Sequence, residues 1–332
     1  MRLLVLGGTR FVGRSLVADA LDRGWQVDAV SRGVSGALPA GARPLRADRT
    51  DPRQLATALG DQTWDLVVDT WALAPEVVQI SAAALRGRTG RYGYVSTCSV
   101  YAPGSPPGGT ESAPVVSPIR ADQSADSYPA DKRAGELAAL EVFPDALLAR
   151  AGLILGPHED IGRLPWWLAR VARGGRMLAP GRPGRPWQYV DARDLATWML
   201  DGLASGLSGP VDVISPVGHT TTGDLLAACL EVTGSDAELV WVAEERLAAA
   251  GIEPWRQLPA WLPEDSPAAP GLIQRDTSLA ASTGLRCRPA RDTVADTWAW
   301  LQRDGWPPPR RDRPPVGLPE ELERVVLAAE SA

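Results

Sequence analysis

The one lysine of the chain stands four residues after a tyrosine, in Tyr128-Pro129-Ala130-Asp131-Lys132, although lysine and arginine together number 34. Every other basic position is arginine, so a plain positive charge is supplied by guanidinium throughout. A lone lysine points to a task that needs a compact, titratable ammonium with freely turning donors. On a helix, residues i and i+4 share a face, so the phenol and the ammonium converge. A neighbouring ammonium favours tyrosinate and lowers the phenol from its ordinary value of about 10. A phenol tuned in this way passes a proton near neutral pH. An ordinary lysine on a surface helix is the competing reading.

Such a pair needs a partner molecule, and the N-terminus supplies a place for one. Leu3-Leu4-Val5-Leu6 is a short apolar run ended by Gly7-Gly8-Thr9-Arg10-Phe11-Val12-Gly13. Apolar residues then recur at helical spacing from Ser15 to Leu21, and Gly24 stops them. Strand, glycine turn and helix open a dinucleotide-binding βαβ unit. The glycines let backbone approach a pyrophosphate, and the helix N-terminus offers free N–H donors. Candidate contacts are Gly7, Thr9, Arg10, Phe11, Val12 and Gly13. A second strand, Trp25 to Val30, ends at Ser31-Arg32. An acidic residue there would bind the ribose 2′-hydroxyl of NAD. Ser31 and Arg32, with Arg10 close by, instead suit the added phosphate, so NADP is favoured over NAD. A third strand leads into Ala47-Asp48, where Asp48 is either an acceptor for the adenine amino group or a loop cap.

Six pieces in fixed order carry a family resemblance: Gly7 to Gly13, Val67-Val68-Asp69-Thr70, Tyr94 to Tyr101, Tyr128 to Lys132, Arg150 to Pro157, and Tyr189 to Ala196. Over about its first 200 residues the chain resembles the extended and atypical short-chain dehydrogenase/reductases, the NAD-dependent epimerase/dehydratase superfamily. It looks most like a bacterial reductase branch whose turn reads GGTRFVG. The resemblance implies an α/β fold, a Rossmann-type doubly wound parallel sheet with a smaller C-terminal substrate-binding lobe. It also implies a catalytic Thr97–Tyr128–Lys132 set. Thr97 would hold the substrate oxygen and Tyr128 would move its proton. Lys132 would bind the nicotinamide ribose and tune Tyr128, while Leu153 and Ile154 would line the nicotinamide. Departures from the pattern narrow the chemistry. Cys98-Ser99 stand where sugar-nucleotide dehydratases carry an Asp-Glu pair, which disfavours dehydration. Trp187 stands where epimerases place a diphosphate-gripping arginine; Arg185 is a candidate substitute, but the simpler inference is a substrate without a diphosphate.

Composition bounds the rest. A net charge of −6 with scattered basic residues argues against nucleic acid as a main partner. A hydrophobic content of 45% without a membrane-length apolar run reads as a soluble, cytoplasmic protein. The start does not read as a signal peptide. Cys98, Cys229 and Cys287 lack metal-ligand spacing, and His158 and His219 are the only histidines, so no metal is expected. The expected division is a NADP-binding Rossmann domain over 1–156 plus about 187–216, and a substrate-binding lobe over 157–186 and 217–305. A Pro/Arg-rich tail with a short terminal helix follows over 306–332. The chain has 13 Trp and only 2 Phe. Trp166, Trp167, Trp187 and Trp261 either line an aromatic or apolar substrate pocket or fill the core of the lobe. The favoured activity is NADPH-dependent reduction of a carbonyl or imine on a small organic substrate; helix-pair homodimers are frequent in the family and one is compatible with this chain. An NAD-dependent nucleotide-sugar epimerase and a non-catalytic dinucleotide sensor are the alternatives.

Overall fold

The computed structural model describes residues 1–118, 128–308, 310 and 314–330. Short runs rich in Val, Leu and Ala become the strands of one sheet: β1 (Arg2–Leu6), β2 (Gln26–Ser31), β3 (Arg43–Arg46), β4 (Trp64–Asp69), β5 (Thr89–Thr97), β6 (Leu147–Ala151) and a last strand, Gly209–Val213. The seven strands lie in the order Gly209–Val213, β6, β5, β4, β1, β2, β3, and every neighbouring pair is parallel. A parallel sheet is covered on both faces, which is why β1 and β4 read as nearly unbroken apolar runs.

Helices α1 (Phe11–Asp22), α2 (Pro52–Leu59), α3 (Glu76–Leu85) and α4 (Tyr128–Val142) connect the strands. Asp51 starts α2 by accepting from the backbone N–H groups of Arg53 and Gln54, with Pro52 at the first helical position. Leu55, Leu59, Val78, Ala82 and Ala139 from α2, α3 and α4 close over Leu4, Leu6, Val67, Tyr92 and Tyr94. Residues of opposite parity point to the other face. There Gly93 of β5 gives Met199 of the helix Ala192–Ser205 its room, and that helix packs with α1. The chain builds β1, β2 and β3 outward in one direction and β4, β5 and β6 in the other. The reversal falls between β1 and β4, where open α/β sheets take their ligands.

The chain divides into two compact units. The sheet unit holds Met1–Gly152, Ala192–Ile214 and Pro270–Arg286, and the second holds Leu153–Asp191, Ser215–Ala269 and Cys287–Ala332. The sequence pattern puts 270–286 in the substrate lobe and 153–156, 187–191 and 215–216 with the sheet; the contacts place them the other way round. For 270–286 the cause is Arg275, fully buried against Asp212 at the end of the last sheet strand.

The second unit pairs strands Arg176–Pro180 and Glu238–Val242 in parallel, beside helices Arg163–Ala172, Thr222–Thr233 and Ala290–Asp304. Helix Glu320–Ala329 packs onto this unit through Val326 and Leu327 and through Glu323. The Glu323 carboxylate accepts from Arg170 Nε at 2.7 Å and from the Leu178 N–H at 3.0 Å. Of the Pro/Arg-rich linker before it, residues 309 and 311–313 lie outside the described residues. No helix among the described residues is long and apolar enough to cross a membrane.

Candidate active site

The glycine turn closes on itself at the point where strand order reverses. Gly7 has φ +108°, and a Cβ there would collide with Thr70 Oγ1, which donates to Leu6 O at 2.9 Å. A Cβ on Gly13 would collide with the Gly7 carbonyl. Two glycines are therefore required for the turn to lie this flat against the ends of β1 and β4. Thr9 and the exposed Arg10 follow, Arg10 being the extended residue before α1. Phe11 and Val12 are buried, and Phe11 enters the helix at φ +31°. The first N–H groups of α1 have no partner within the helix. A side-chain-free cradle below a helix N-terminus fits a dinucleotide pyrophosphate.

Ser31 closes β2 half-buried, and Arg32 follows it exposed. The Asp48 carboxylate accepts from Thr50 N at 3.0 Å and Thr50 Oγ1 at 2.8 Å, so it caps its own loop. Those two bonds, backbone first, hold Asp48 below the usual aspartate range, and Arg32 adds to the effect.

Helix α4 stacks Tyr128, Lys132 and Glu136 at four-residue intervals on one face. Lys132 is 2% exposed, and its Nζ donates to Trp71 O and Val95 O, both at 2.6 Å. The ammonium also sits 4.4 Å from the centre of the Tyr94 ring. Tyr94 donates to the same Trp71 carbonyl at 3.1 Å. Burial pushes the Tyr94 phenol well up, and the negative fields of Asp69 and Tyr128 add to it. Gly135 leaves room for this ring, because a Cβ there would lie 2.5 Å from Tyr94 Oη. The Trp71 loop is in turn fixed by Asp69, which accepts from Trp71 N at 2.8 Å, Tyr92 Oη at 2.8 Å and Arg49 Nη2 at 2.5 Å. Thr97 ends β5; its Oγ1 accepts from Ser99 N at 3.1 Å and donates to Ser99 Oγ at 3.2 Å. Thr97, Tyr128 and Lys132 thus belong to one unit, at the end of β5 and the first turns of α4.

Glu136 is a residue that sequence reasoning misses. Fully buried, it accepts from Ser96 Oγ at 2.6 Å, Arg133 Nη1 at 2.7 Å, and Arg150 Nε and Nη2 at 2.9 and 3.0 Å. Burial opposes its charge, yet the Arg150, Ser96 and Arg133 donors hold it below the usual glutamate range. Arg150 Nη1 continues to Tyr101 Oη at 3.1 Å, and Tyr101 donates to Asp212 Oδ1 at 2.5 Å. Arg275 Nε reaches Asp212 Oδ2 at 2.8 Å, its guanidinium carbon 3.5 Å from the Tyr101 ring centre. Burial pushes Asp212 up to about 6 against those donors. Cys98 is also buried here, its Sγ donating to Arg150 O at 3.2 Å, and burial pushes the thiol well up. The i+8 spacing of Glu136 from Tyr128 is the signal that could have found it.

In the second unit, Leu153 gives its carbonyl to Val190 N at 2.8 Å, and Ile154 pairs with Val190. Of the two readings of the tryptophans, burial supports the core. Trp167, Trp187 and Trp261 are 1%, 4% and 3% exposed, inside the hydrophobic core, and Trp166 packs partly buried against them. With so little Phe, a small lobe fills its centre with indole. Arg185 is buried and donates to Glu244 Oε1 at 2.7 Å. His158 lays its ring 5.1 Å from that of Trp300.

Comparison with known proteins agrees with this architecture. The family described as "NAD dependent epimerase/dehydratase family" matches residues 3–212. 2'-Dehydrokanamycin reductase of Streptomyces kanamyceticus is 30% identical over 214 residues, 62% of this chain. The match covers 58% of that relative, so the chain spans less than two thirds of its length. Among solved structures, Bordetella bronchiseptica WbmH in complex with NAD+ aligns at a TM-score of 0.70 and 18% identity, over 92% of this chain and 99% of that one. The UDP-glucose 4-epimerase of Thermus thermophilus, in complex with NAD, aligns at 0.64 and 22%, over 91% and 99%. At these identities the two structures share the fold. The glycine cradle at the strand-order reversal and the family match over residues 3–212 lead to one conclusion: the chain belongs to the NAD-dependent epimerase/dehydratase family.

Proposed function

We propose that the protein is an NADPH-dependent reductase that converts a carbonyl of a small organic substrate to an alcohol, with Tyr128 as the proton donor. The reading rests chiefly on Lys132, whose ammonium is buried at the ends of β4 and β5 one helical turn from Tyr128. Gly7 to Gly13, Ser31 and Arg32 would hold the dinucleotide, which supplies the hydride. Tyr128 gives its proton to the oxygen as negative charge develops there. Thr97 turns its hydroxyl from Ser99 to that oxygen and orients it. Lys132 stabilises the phenolate left behind, and a compact ammonium does so where a planar guanidinium would not fit between two carbonyls. Glu136 and Arg150 keep α4 seated while this happens.

Two observations support reduction over the chemistry of its relatives. Cys98 is a buried thiol turned to a carbonyl and Ser99 is bonded to Thr97, so neither supplies the carboxyl pair that water loss needs. Arg185, the candidate substitute for a diphosphate-gripping arginine, is buried with its Nη1 turned to the Glu244 carboxylate. The relative named 2'-dehydrokanamycin reductase supports reduction of a ketone and makes that compound the first to try. Tyr128→Phe is expected to lower NADPH turnover by about 10²–10⁴-fold while leaving NADPH affinity in place. Full turnover by this variant overturns the reading, and release of tightly held NAD from the purified protein would replace it with epimerisation.

A further inference from the structure

A guanidinium is buried where the strand order reverses. Arg49, in the loop between β3 and α2, is 5% exposed. Its Nη2 donates to Asp69 Oδ2 at 2.5 Å and to Ser81 Oγ at 2.9 Å, and its Nε donates to Ser81 Oγ at 3.2 Å. Nη1 reaches Leu6 O at 3.3 Å, the carbonyl just before the glycine turn. One side chain thereby joins the ends of β1 and β4 to α3. Its guanidinium carbon also lies 5.2 Å from the centre of the Trp71 ring. The indole is held a second time, because Trp71 Nε1 donates to Ala74 O at 2.9 Å. What this bracing secures is the Trp71 carbonyl, which accepts from Lys132 Nζ as the Val95 carbonyl does. Val95 lies inside β5, where the ladder to β6 fixes it. Trp71 lies in the loop after β4, so its carbonyl needs other support.

We propose that Arg49 is a positioning residue for Lys132 and acts through Trp71. The inference rests on the reading of Lys132 as the cation beside Tyr128, and it names the device that seats that cation. An ammonium acts on a phenol through a field that falls with distance, and in a buried site a small displacement changes it strongly. A guanidinium beside an indole is attracted by the ring quadrupole, so it steadies the ring and the backbone that carries it. Arginine suits this work, because its planar fork serves Asp69, Ser81 and Leu6 at once while the ring stays within reach. A purely structural clasp of β1, β4 and α3 accounts for those three polar contacts. It does not account for an indole set against the guanidinium on the very residue whose carbonyl holds Lys132.

Because the chain has a single lysine, nuclear magnetic resonance tests the proposal without a substrate. In the full-length protein grown on isotope-labelled lysine, the ε-methylene gives one resonance, which the Tyr94 ring, 4.4 Å from Nζ, should shift upfield. Arg49→Gln removes no ring, so it is expected to return that resonance toward its position in the unfolded chain by displacing Lys132 itself. Gln leaves Asp69 stranded, and Arg49→Gln combined with Asp69→Asn is therefore the second variant, replacing the buried pair together. Trp71→Phe keeps an aromatic face for Arg49 and should hold the resonance near its wild-type place, whereas Trp71→Ala should release it. Arg43→Gln breaks the Arg43–Asp28 pair on the sheet edge and is expected to leave it unmoved. Turnover of NADPH with 2′-dehydrokanamycin as the probe should fall about 10–100-fold in the variants that move the resonance. A resonance that stays in place in both Arg49 variants overturns the inference and leaves the reductase reading standing; so does one that Arg43→Gln moves as far. Full turnover by Tyr128→Phe overturns the reductase reading instead, and the resonance still decides what seats Lys132.

Discussion

Beneath the C-terminal ends of β5 and β6 the sheet unit buries a line of charges, whereas the second unit buries indoles. Glu136, Arg150, Tyr101, Asp212 and Arg275 form a continuous chain of hydrogen bonds with the carboxylates and guanidiniums alternating. Trp167, Trp187 and Trp261 instead meet edge to face or through packing, with Trp167 Nε1 capped by Pro259 O at 2.9 Å. Buried charge tolerates little displacement, because each partner left alone faces its full desolvation cost. An apolar core accepts altered shapes more readily. The geometry of a proton donor is therefore held on the charged side, and the indole core of the other unit is freer to vary.

The largest test of that contrast pairs one residue from each side. Glu136→Gln is expected to lower stability by about 3–5 kcal/mol by stranding Arg150, and to depress turnover of the fraction that folds. Trp167→Ala should cost a comparable amount, roughly 3–5 kcal/mol, through its cavity, while the folded fraction keeps its rate of hydride transfer. Denaturant unfolding measures the first quantity and single-turnover kinetics the second; equal kinetic losses would erase the distinction.

A smaller effect is expected at Gly135→Ala. Alanine in a helix is normally worth about 1 kcal/mol over glycine. Here the added methyl meets Tyr94 Oη at 2.5 Å and Cζ at 2.9 Å, and overpacking of about 1–3 kcal/mol outweighs the gain. Because Tyr94 lies beneath Lys132, the substitution should lower turnover as well as the melting temperature. A stabilised, fully active variant would show that the helix is not seated on that ring.

The smallest effect belongs to the second unit. Glu159 is fully buried and accepts from the N–H groups of Arg163 and Leu164 at 2.9 and 3.0 Å, and burial pushes it from 4.5 up to about 7. The folded protein then holds more protons than the unfolded chain across that interval. Stability contributed here is full below about 4.5 and declines as pH rises toward 7. Melting temperatures recorded through that window should fall with pH, and Glu159→Gln should flatten the slope.

Local patterns are readable in the sequence and distant pairings are not. The glycine turn and the Tyr128/Lys132 spacing announce themselves because strand, turn and helix periods are short. Glu136 shares that helical period, but its meaning depends on Ser96 and Arg150, brought beside it by strand order. Arg275 meets Asp212 across 63 residues, which no spacing rule reaches, and this is why the sequence pattern puts 270–286 in the other unit. The tryptophans stay undecided in the sequence for another reason. An indole is amphipathic enough for a wall or a core, and only packing decides which.

The seclusion of Lys132 also makes the molecule its own reporter. A lysine-specific protease has one bond to cut in the whole chain, Lys132–Arg133, and it lies within α4 with the side chain 2% exposed. Cleavage requires that helix to open first, so the rate at which two fragments appear measures its local opening free energy. Amine-directed dyes would likewise mark the N-terminus of the folded protein and reach the ε-amine when α4 lifts.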